Sequence, residues 1–226
     1  MKPIVKWVGG KRQLLSTIRK KLPVGIRTCC EPFIGGGAVL LDLVPDHAII
    51  NDANPELINL HRVARDNPKA LVEELKQHTN TLSHFKAVRN LDRDLPTWAL
   101  LSNVERAARY LYLNKTCFNG LMRVNRHGQF NAAYGGYTNP CICPEEEISM
   151  RSMIIFSAMT SRFCAATTVS PSKRWWLVIL PISIPHTHRY PRLPTTRPIP
   201  PAALGSTSRN VSPMPAAILI AAVSNG

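Results

Sequence analysis

No aspartate or glutamate follows Glu147. Residues 148–226 hold none of the 14 acidic residues, yet carry 8 of the 28 Lys and Arg and 10 of the 19 prolines. A globular stretch of that length would carry several acids, since roughly a quarter of residues are ordinarily charged. The tail is therefore atypical of a packed segment, and it shows no usable periodicity. Cysteine is sparse, and none of Cys29, Cys30, Cys117, Cys141, Cys143 and Cys164 forms a C-x-x-C pair. Cys141 and Cys143 with His127 make a poor zinc set, and adjacent Cys29 and Cys30 read as small core residues. Free thiols suit the cytoplasm. The apolar stretches 175–184 and 216–223 are too short to span a bilayer, so no membrane is expected. No signal peptide is expected, because the N-terminus turns polar within a few residues. No internal repeat is evident.

A chain of 226 residues allows one domain, or one with a subdomain. The basic balance favours a polyanionic partner. Up to residue 150, 20 basic residues face 14 acidic ones and leave +6; the rest of the chain adds +8. The first figure is the relevant one, because the second comes from the atypical tail.

The informative run is Glu31-Pro32-Phe33-Ile34-Gly35-Gly36-Gly37. Residues 26–30 are strand-like, and three glycines then permit a turn that side chains would block. Ala38 to Leu41 reads as a helix start. Ala48-Ile49-Ile50 reads as the next buried strand, with Asp52 just past its end. In an open α/β sheet this places a bare turn beside a carboxylate suited to ribose hydroxyls. The run is not G-x-G-x-x-G, and a strand-to-helix turn without any ligand explains it equally well.

Two further blocks narrow the choice. Lys6-Trp7-Val8-Gly9-Gly10-Lys11-Arg12 sets an aromatic face for an adenine ring beside a cation for a carboxylate. Leu14, Leu15, Ile18 and Leu22 follow at helical spacing. Alone, this reads as a packed tryptophan and a solvated basic helix. Further on, Ser102 and Glu105 form a capping box. The helix it opens shows Val104, Ala107, Ala108, Leu111 and Tyr112 on one face. A loop follows with Phe118, Asn119, Gly120, Arg123, Asn125, Arg126, Gly128 and Asn131. Arginine can read guanine, asparagine can pair with adenine, and an aromatic can wedge between bases.

These blocks, with Asn51-Asp52-Ala53-Asn54 and Leu113-Asn114-Lys115, stand in the order seen in Dam-type DNA adenine-N6 methyltransferases. The chain resembles that family over roughly residues 3–147. The resemblance implies an α/β, Rossmann-like S-adenosylmethionine-dependent methyltransferase sheet with a helical DNA-recognition insertion. It implies that Trp7, Lys11, Phe33, Gly35 and Gly37 line an S-adenosylmethionine pocket and that Asp52 accepts the ribose hydroxyls. Phe118, Asn119, Arg123 and Asn125 would face duplex DNA, with Arg123 on a base and Phe118 in the stack. Lys115 and Arg126 would touch phosphates. A GATC-like site and a monomeric protein are expected. Restriction, replication and phage roles stay open.

The family also implies Asp-Pro-Pro-Tyr, which holds the amine of a flipped adenine. This chain has no such motif; its one Pro-Pro is Pro200-Pro201. A frameshift accounts for both the motif and the missing acids. Leu177-Val178-Ile179-Leu180-Pro181-Ile182-Ser183-Ile184-Pro185-His186-Thr187 can be encoded so that reading from the third base yields Gly-Asp-Phe-Ala-Tyr-Phe-Asp-Pro-Pro-Tyr. The alternative is a genuine basic, proline-rich tail.

The expected organisation is a first half of the cofactor domain over 1–55, a helical recognition region over 56–147 and the altered tail over 148–226. The sheet is expected to be incomplete. Asn54-Pro55 and Asn67-Pro68 each open a helix. Two other functions remain: a non-catalytic DNA- or nucleotide-binding remnant, and a dehydrogenase, which leaves residues 110–131 unexplained.

Overall fold

The computed structural model describes residues 2–26 and 28–153, with the backbone of 154–157, 176–179 and 220–223. Expectations for Cys164 and Pro200-Pro201 lie outside the described residues.

The chain begins with a 3-10 turn, Lys11–Leu14, leading into α1 (Leu15–Lys21). A parallel unit follows: β1 (Thr28–Glu31), α2 (Ala38–Leu43) and β2 (His47–Ile50). Cys29 pairs with Ala48 and Glu31 with Ile50. All four residues of β1 are buried, including Cys29 and Cys30. A strand covered on both faces needs such a run. β3 (Trp176–Ile179) lies parallel to β1 on its other side, and β4 (Ile220–Val223) runs antiparallel to β3. The order β2-β1-β3-β4 makes a small, largely parallel sheet.

Beyond β2 the described chain is helical to residue 116: α3 (Pro55–Asp66), α4 (Pro68–Lys76), α5 (Leu82–Asn90), α6 (Leu95–Leu100) and α7 (Asn103–Thr116). The Asn54 side chain caps α3 by accepting from the Glu56 and Leu57 amides. The Ser102–Glu105 capping box is present at α7. Each such cap stabilises a helix end by about 1 kcal/mol. α3 joins two cores. Its Ile58 packs with Ile34, Leu40, Ala48 and Ile50 on the sheet side. Its Leu57, Leu60 and Ala64 pack with Leu71, Phe85, Leu111 and Leu113 in the helical core.

A helix crosses residue 147, the expected boundary of the altered tail. α8 runs from Glu145 to Ser157. Three glutamates in its first turn favour the helix dipole. Ile148 and Arg151 are fully buried, so packing carries the helix past the last acid. Among the described residues no helix is long and apolar enough to cross a membrane.

His78 and His84 meet through Nδ1 and Nε2 at 2.9 Å, and His78 stacks on Tyr112 at 4.5 Å. Burial and the neighbouring His84 push the His78 pKa down to about 4. A histidine depressed in the folded state stabilises above its ordinary value near 6.5 and loses that contribution as pH falls toward 4. Between pH 7.5 and 4.5 we expect a loss of about 1–2 kcal/mol, discounted for partial exposure. Thermal melts of wild type and His78→Phe measure it. The wild-type curve should fall more steeply with acid, and parallel curves would contradict the assignment.

Candidate functional site

The turn after β1 is tied to the end of β2 by backbone bonds. Asn51 N donates to Glu31 O at 2.9 Å, and Ile34 N to Asn51 O at 2.8 Å. Gly37 N closes the turn onto Ile34 O at 2.9 Å. Gly35 and Gly37 take φ of +52° and +76°, where a side chain would be strained. Space is also absent. A Cβ on Gly35 would lie 2.7 Å from the Trp7 indole, and one on Gly37 would lie 2.9 Å from Arg151 Nη2. Trp7 thus rests its ring edge on the turn, and its body packs against the helical core.

Asp52 is half-buried beside the turn. Its Oδ2 accepts from Gly35 N at 3.0 Å and its Oδ1 from Asn54 N at 3.1 Å. Each oxygen keeps a lone pair. Lys11 Nζ donates to Phe33 O at 2.7 Å and to Glu31 Oε1 at 3.2 Å. Lys11 thus pairs with the protein's own Glu31 at the edge of the turn. The Phe33 side chain is exposed.

Glu31 is almost fully buried, and its Oε2 accepts from Leu40 N at 3.1 Å. Desolvation holds its pKa above the ordinary carboxylate value, against the pull of Lys11 and Arg151. Under the turn, His61 Nε2 bonds Gly35 O at 2.8 Å. Arg151 Nη1 donates to Gly36 O at 3.3 Å, and Nη2 to His61 Nδ1. Arginine is a donor only, so His61 Nδ1 accepts and Nε2 carries the proton. Burial and Arg151 push the His61 pKa well below its ordinary value, which keeps the ring neutral.

The second cluster begins where α7 ends. Asn114 is fully buried. Its Oδ1 accepts from Lys6 N at 2.7 Å, and its Nδ2 donates to Lys6 O at 2.8 Å and Gly120 O at 3.1 Å. Gly120 also leaves room for Lys6, whose Cβ would sit 2.6 Å from an added Cβ. The Lys6 ammonium stands over the Tyr137 ring at 4.5 Å, and the Tyr137 hydroxyl accepts from Asn119 N at 2.9 Å. Asn119 takes φ +53°, a conformation asparagine tolerates. Phe118 and Asn119 are exposed at this corner.

A hairpin then bridges Val124 to Phe130. Asn125 N donates to Gln129 O at 2.8 Å, Gly128 N donates to Asn125 O at 3.1 Å, and Gly128 has φ +78°. This is a three-residue loop with glycine in the left-handed position. The Asn125 side chain is used inside it. Its Oδ1 accepts from the His127 and Gln129 amides, and its Nδ2 donates to Gln129 Oε1. Asn125 therefore shapes the loop from within. Arg123 is exposed and donates to Asn131 Oδ1 at 2.9 Å and Asn131 O at 3.3 Å. Arg126 is exposed at the tip, with Nε on His127 Nε2 at 3.1 Å. Lys115 is half-buried, and desolvation lowers its pKa.

The structure thus gathers Trp7, Lys11, Phe33, Gly35, Gly37 and Asp52 around one turn, and Phe118, Asn119, Arg123, Asn125 and Arg126 around one loop and hairpin. Sequence reasoning missed Glu31, His61, Arg151 and Tyr137 as parts of these clusters. His61 had a signal, since it lies on the same helical face as Leu57, Leu60 and Ala64.

The chain matches the family model of the D12 class N6 adenine-specific DNA methyltransferases over residues 7–170. It is 47% identical over 150 residues to the type II methyltransferase M1.LlaDCHI of Lactococcus lactis subsp. cremoris, covering 66% of this chain and 52% of that protein. It is 34% identical over 174 residues to the type II methyltransferase M.MjaIII of Methanocaldococcus jannaschii, with 69% and 59% covered. It is 35% identical over 152 residues to the DNA adenine methylase of Haemophilus influenzae, with 65% and 51% covered. The chain spans about half the length of these curated relatives. The family match runs past residue 147, where the resemblance was expected to stop, and takes in α8. The chain belongs to the D12 class of N6 adenine-specific DNA methyltransferases.

Proposed function

We propose that the glycine turn seats S-adenosylmethionine and that the hairpin grips duplex DNA, in a chain descended from enzymes that methylate adenine N6. One observation carries this reading: adjacent residues Trp7 and Lys6 touch the two clusters. Trp7 lies on Gly35, and Lys6 lies on Gly120 and Tyr137. A short N-terminal segment thereby holds a nucleotide-type turn beside an Arg- and Asn-bearing hairpin.

The residues at the turn fit an adenosyl group. Asp52 has one backbone donor on each oxygen and a free lone pair on each for ribose hydroxyls. Phe33, 45% exposed, and the half-buried Trp7 offer apolar faces to a purine. Gly35 and Gly37 give the turn its left-handed bends and admit Trp7 and Arg151 against it, which fixes the backbone beside the proposed adenosyl site. Bound S-adenosylmethionine would supply an electrophilic methyl group on a sulfonium. Lys11 would keep the Phe33 carbonyl and Glu31 fixed while Asp52 holds the ribose.

On the DNA side, exposed Phe118 would enter the base stack. Arg123 would exchange Asn131 for a guanine edge. Arg126, and Lys115 from its half-buried position, would contact phosphates. Asn119 would present its amide at the corner, and Asn125 would keep the loop in shape. A GATC-like site is the proposed target, the cytoplasm the proposed compartment and a monomer the proposed state. The absence of Asp-Pro-Pro-Tyr favours a second reading for the chain as written: it binds donor and DNA without turnover.

Titration calorimetry with S-adenosylmethionine tests the donor site. We expect one-site binding, weakened by about tenfold in Asp52→Ala, as loss of one or two hydrogen bonds to a charged group implies. Phe118→Ala and Arg123→Ala should each weaken binding to a GATC duplex, and Arg123→Ala should also narrow the gap between cognate and scrambled DNA. A chain that ignores the donor would refute the reading.

A further inference from the structure

Two buried groups under the turn have no part in the reading above. His61 is 1% exposed and Arg151 is 0% exposed, although they lie on separate helices, α3 and α8. Burying an arginine is costly unless its protons find partners. Its Nη atoms find Gly36 O and His61 Nδ1, and His61 passes the chain to Gly35 O. On its other side, the Gly35 amide donates to Asp52 Oδ2 at 3.0 Å. One line of hydrogen bonds therefore runs from Arg151 through His61 and Gly35 to Asp52.

We infer that His61 and Arg151 are positioning residues for the donor site: they hold the carbonyls of Gly35 and Gly36 inward and thereby aim the turn and Asp52 at the ligand. The inference rests on the proposed donor site. Its chemistry is specific. Glycines in a left-handed turn have wide freedom, and a carbonyl that swings outward would point its lone pairs at the ribose or the carboxylate of the donor. Two donors on the inner side remove that state. The tautomer matters as well, because only Nε2–H can donate to Gly35 O. Arg151 enforces it by occupying Nδ1. Burial lowers the arginine to about 10, still protonated at neutral pH, so the pair keeps one protonation state across the working range.

The test is calorimetric titration of S-adenosylmethionine into the full chain and into His61→Phe, His61→Gln, Arg151→Met and Arg151→Lys. A merely structural role lowers the fraction of competent protein, read as a lower stoichiometry at unchanged Kd. A positioning role raises Kd at unchanged stoichiometry. We expect His61→Phe and Arg151→Met to raise Kd about tenfold, the scale of one to two hydrogen bonds. His61→Gln, whose amide can donate to Gly35 O, should recover most of that loss. If the two severe variants do not fold, Arg151→Lys decides, since one ammonium cannot serve Gly36 O and His61 Nδ1 in the same way. It should raise Kd about threefold, a part of one hydrogen bond. Wild-type Kd in folded variants, or failure of His61→Gln to recover affinity, overturns the inference alone. No binding by the unsubstituted chain overturns the donor site and this inference with it.

Discussion

Restoring the displaced reading frame downstream of Arg151 is expected to raise methyl transfer to duplex DNA by at least about a thousandfold, from a background near zero. Both halves of the site on which transfer depends are proposed to be intact. What the sequence lacks is Asp-Pro-Pro-Tyr, the motif to which the proposed reading assigns the holding of the target amine in line with the methyl carbon. β3 stands parallel to β1, so its carboxyl end opens on the same side as Glu31 and the glycine turn. In α/β sheets ligands sit at that side. The string that can be recoded begins at Leu177, inside β3, and its displaced reading puts Asp-Pro-Pro-Tyr a few residues beyond the strand. The acid there would accept from the adenine amine and raise its nucleophilicity. On the frameshift account the shift would begin after Arg151, because its guanidinium is matched to the Gly36 carbonyl and His61. Incorporation of labelled methyl groups into a GATC duplex measures the effect. A restored chain that binds the donor but transfers nothing would reject the frameshift account, as would encoding DNA without those codons in the displaced frame.

Much of this architecture was legible before any coordinates. β1, α2 and β2 were visible because a continuous buried strand, a glycine run and a second apolar run leave few alternatives. The caps at Asn54 and Ser102 were visible because polar capping residues stand directly before apolar periodicity. Asp52 was visible from its place after a strand. Long-range partners were not. Lys11 reads as a free cation because nothing local shows that Glu31, 20 residues away, is buried and needs it. Asn125 reads as a base-reading amide because its use in the three-residue loop depends on Gly128 adopting positive φ. Arg151 was hidden by its setting: in a segment without acids, a lone arginine offers no reason to be taken as buried.

Lys11→Met is the single substitution expected to cost the fold most, about 3–5 kcal/mol near pH 8, the usual penalty for stranding one member of a buried ion pair. Glu31 would keep the Leu40 amide and the more distant field of Arg151, but would lose its one direct cationic partner among the described residues. The loss depends on pH with a defined sign. Desolvation already raises the Glu31 pKa above its unfolded value, and removal of Lys11 raises it further. A carboxyl raised in the folded state takes up protons on folding, so stability is greatest below the unfolded value near 4.5 and falls as pH climbs through the folded one. The variant should thus be closest to wild type near pH 5 and furthest from it at pH 8, the reverse of the acid sensitivity expected from His78. Lys11→Met combined with Glu31→Gln removes the stranded charge and should recover more than half of the deficit at pH 8. Urea midpoints at the two pH values distinguish the outcomes. A deficit that is equal at both, or that the second substitution deepens, would show that Lys11 holds the turn through the Phe33 carbonyl rather than through Glu31.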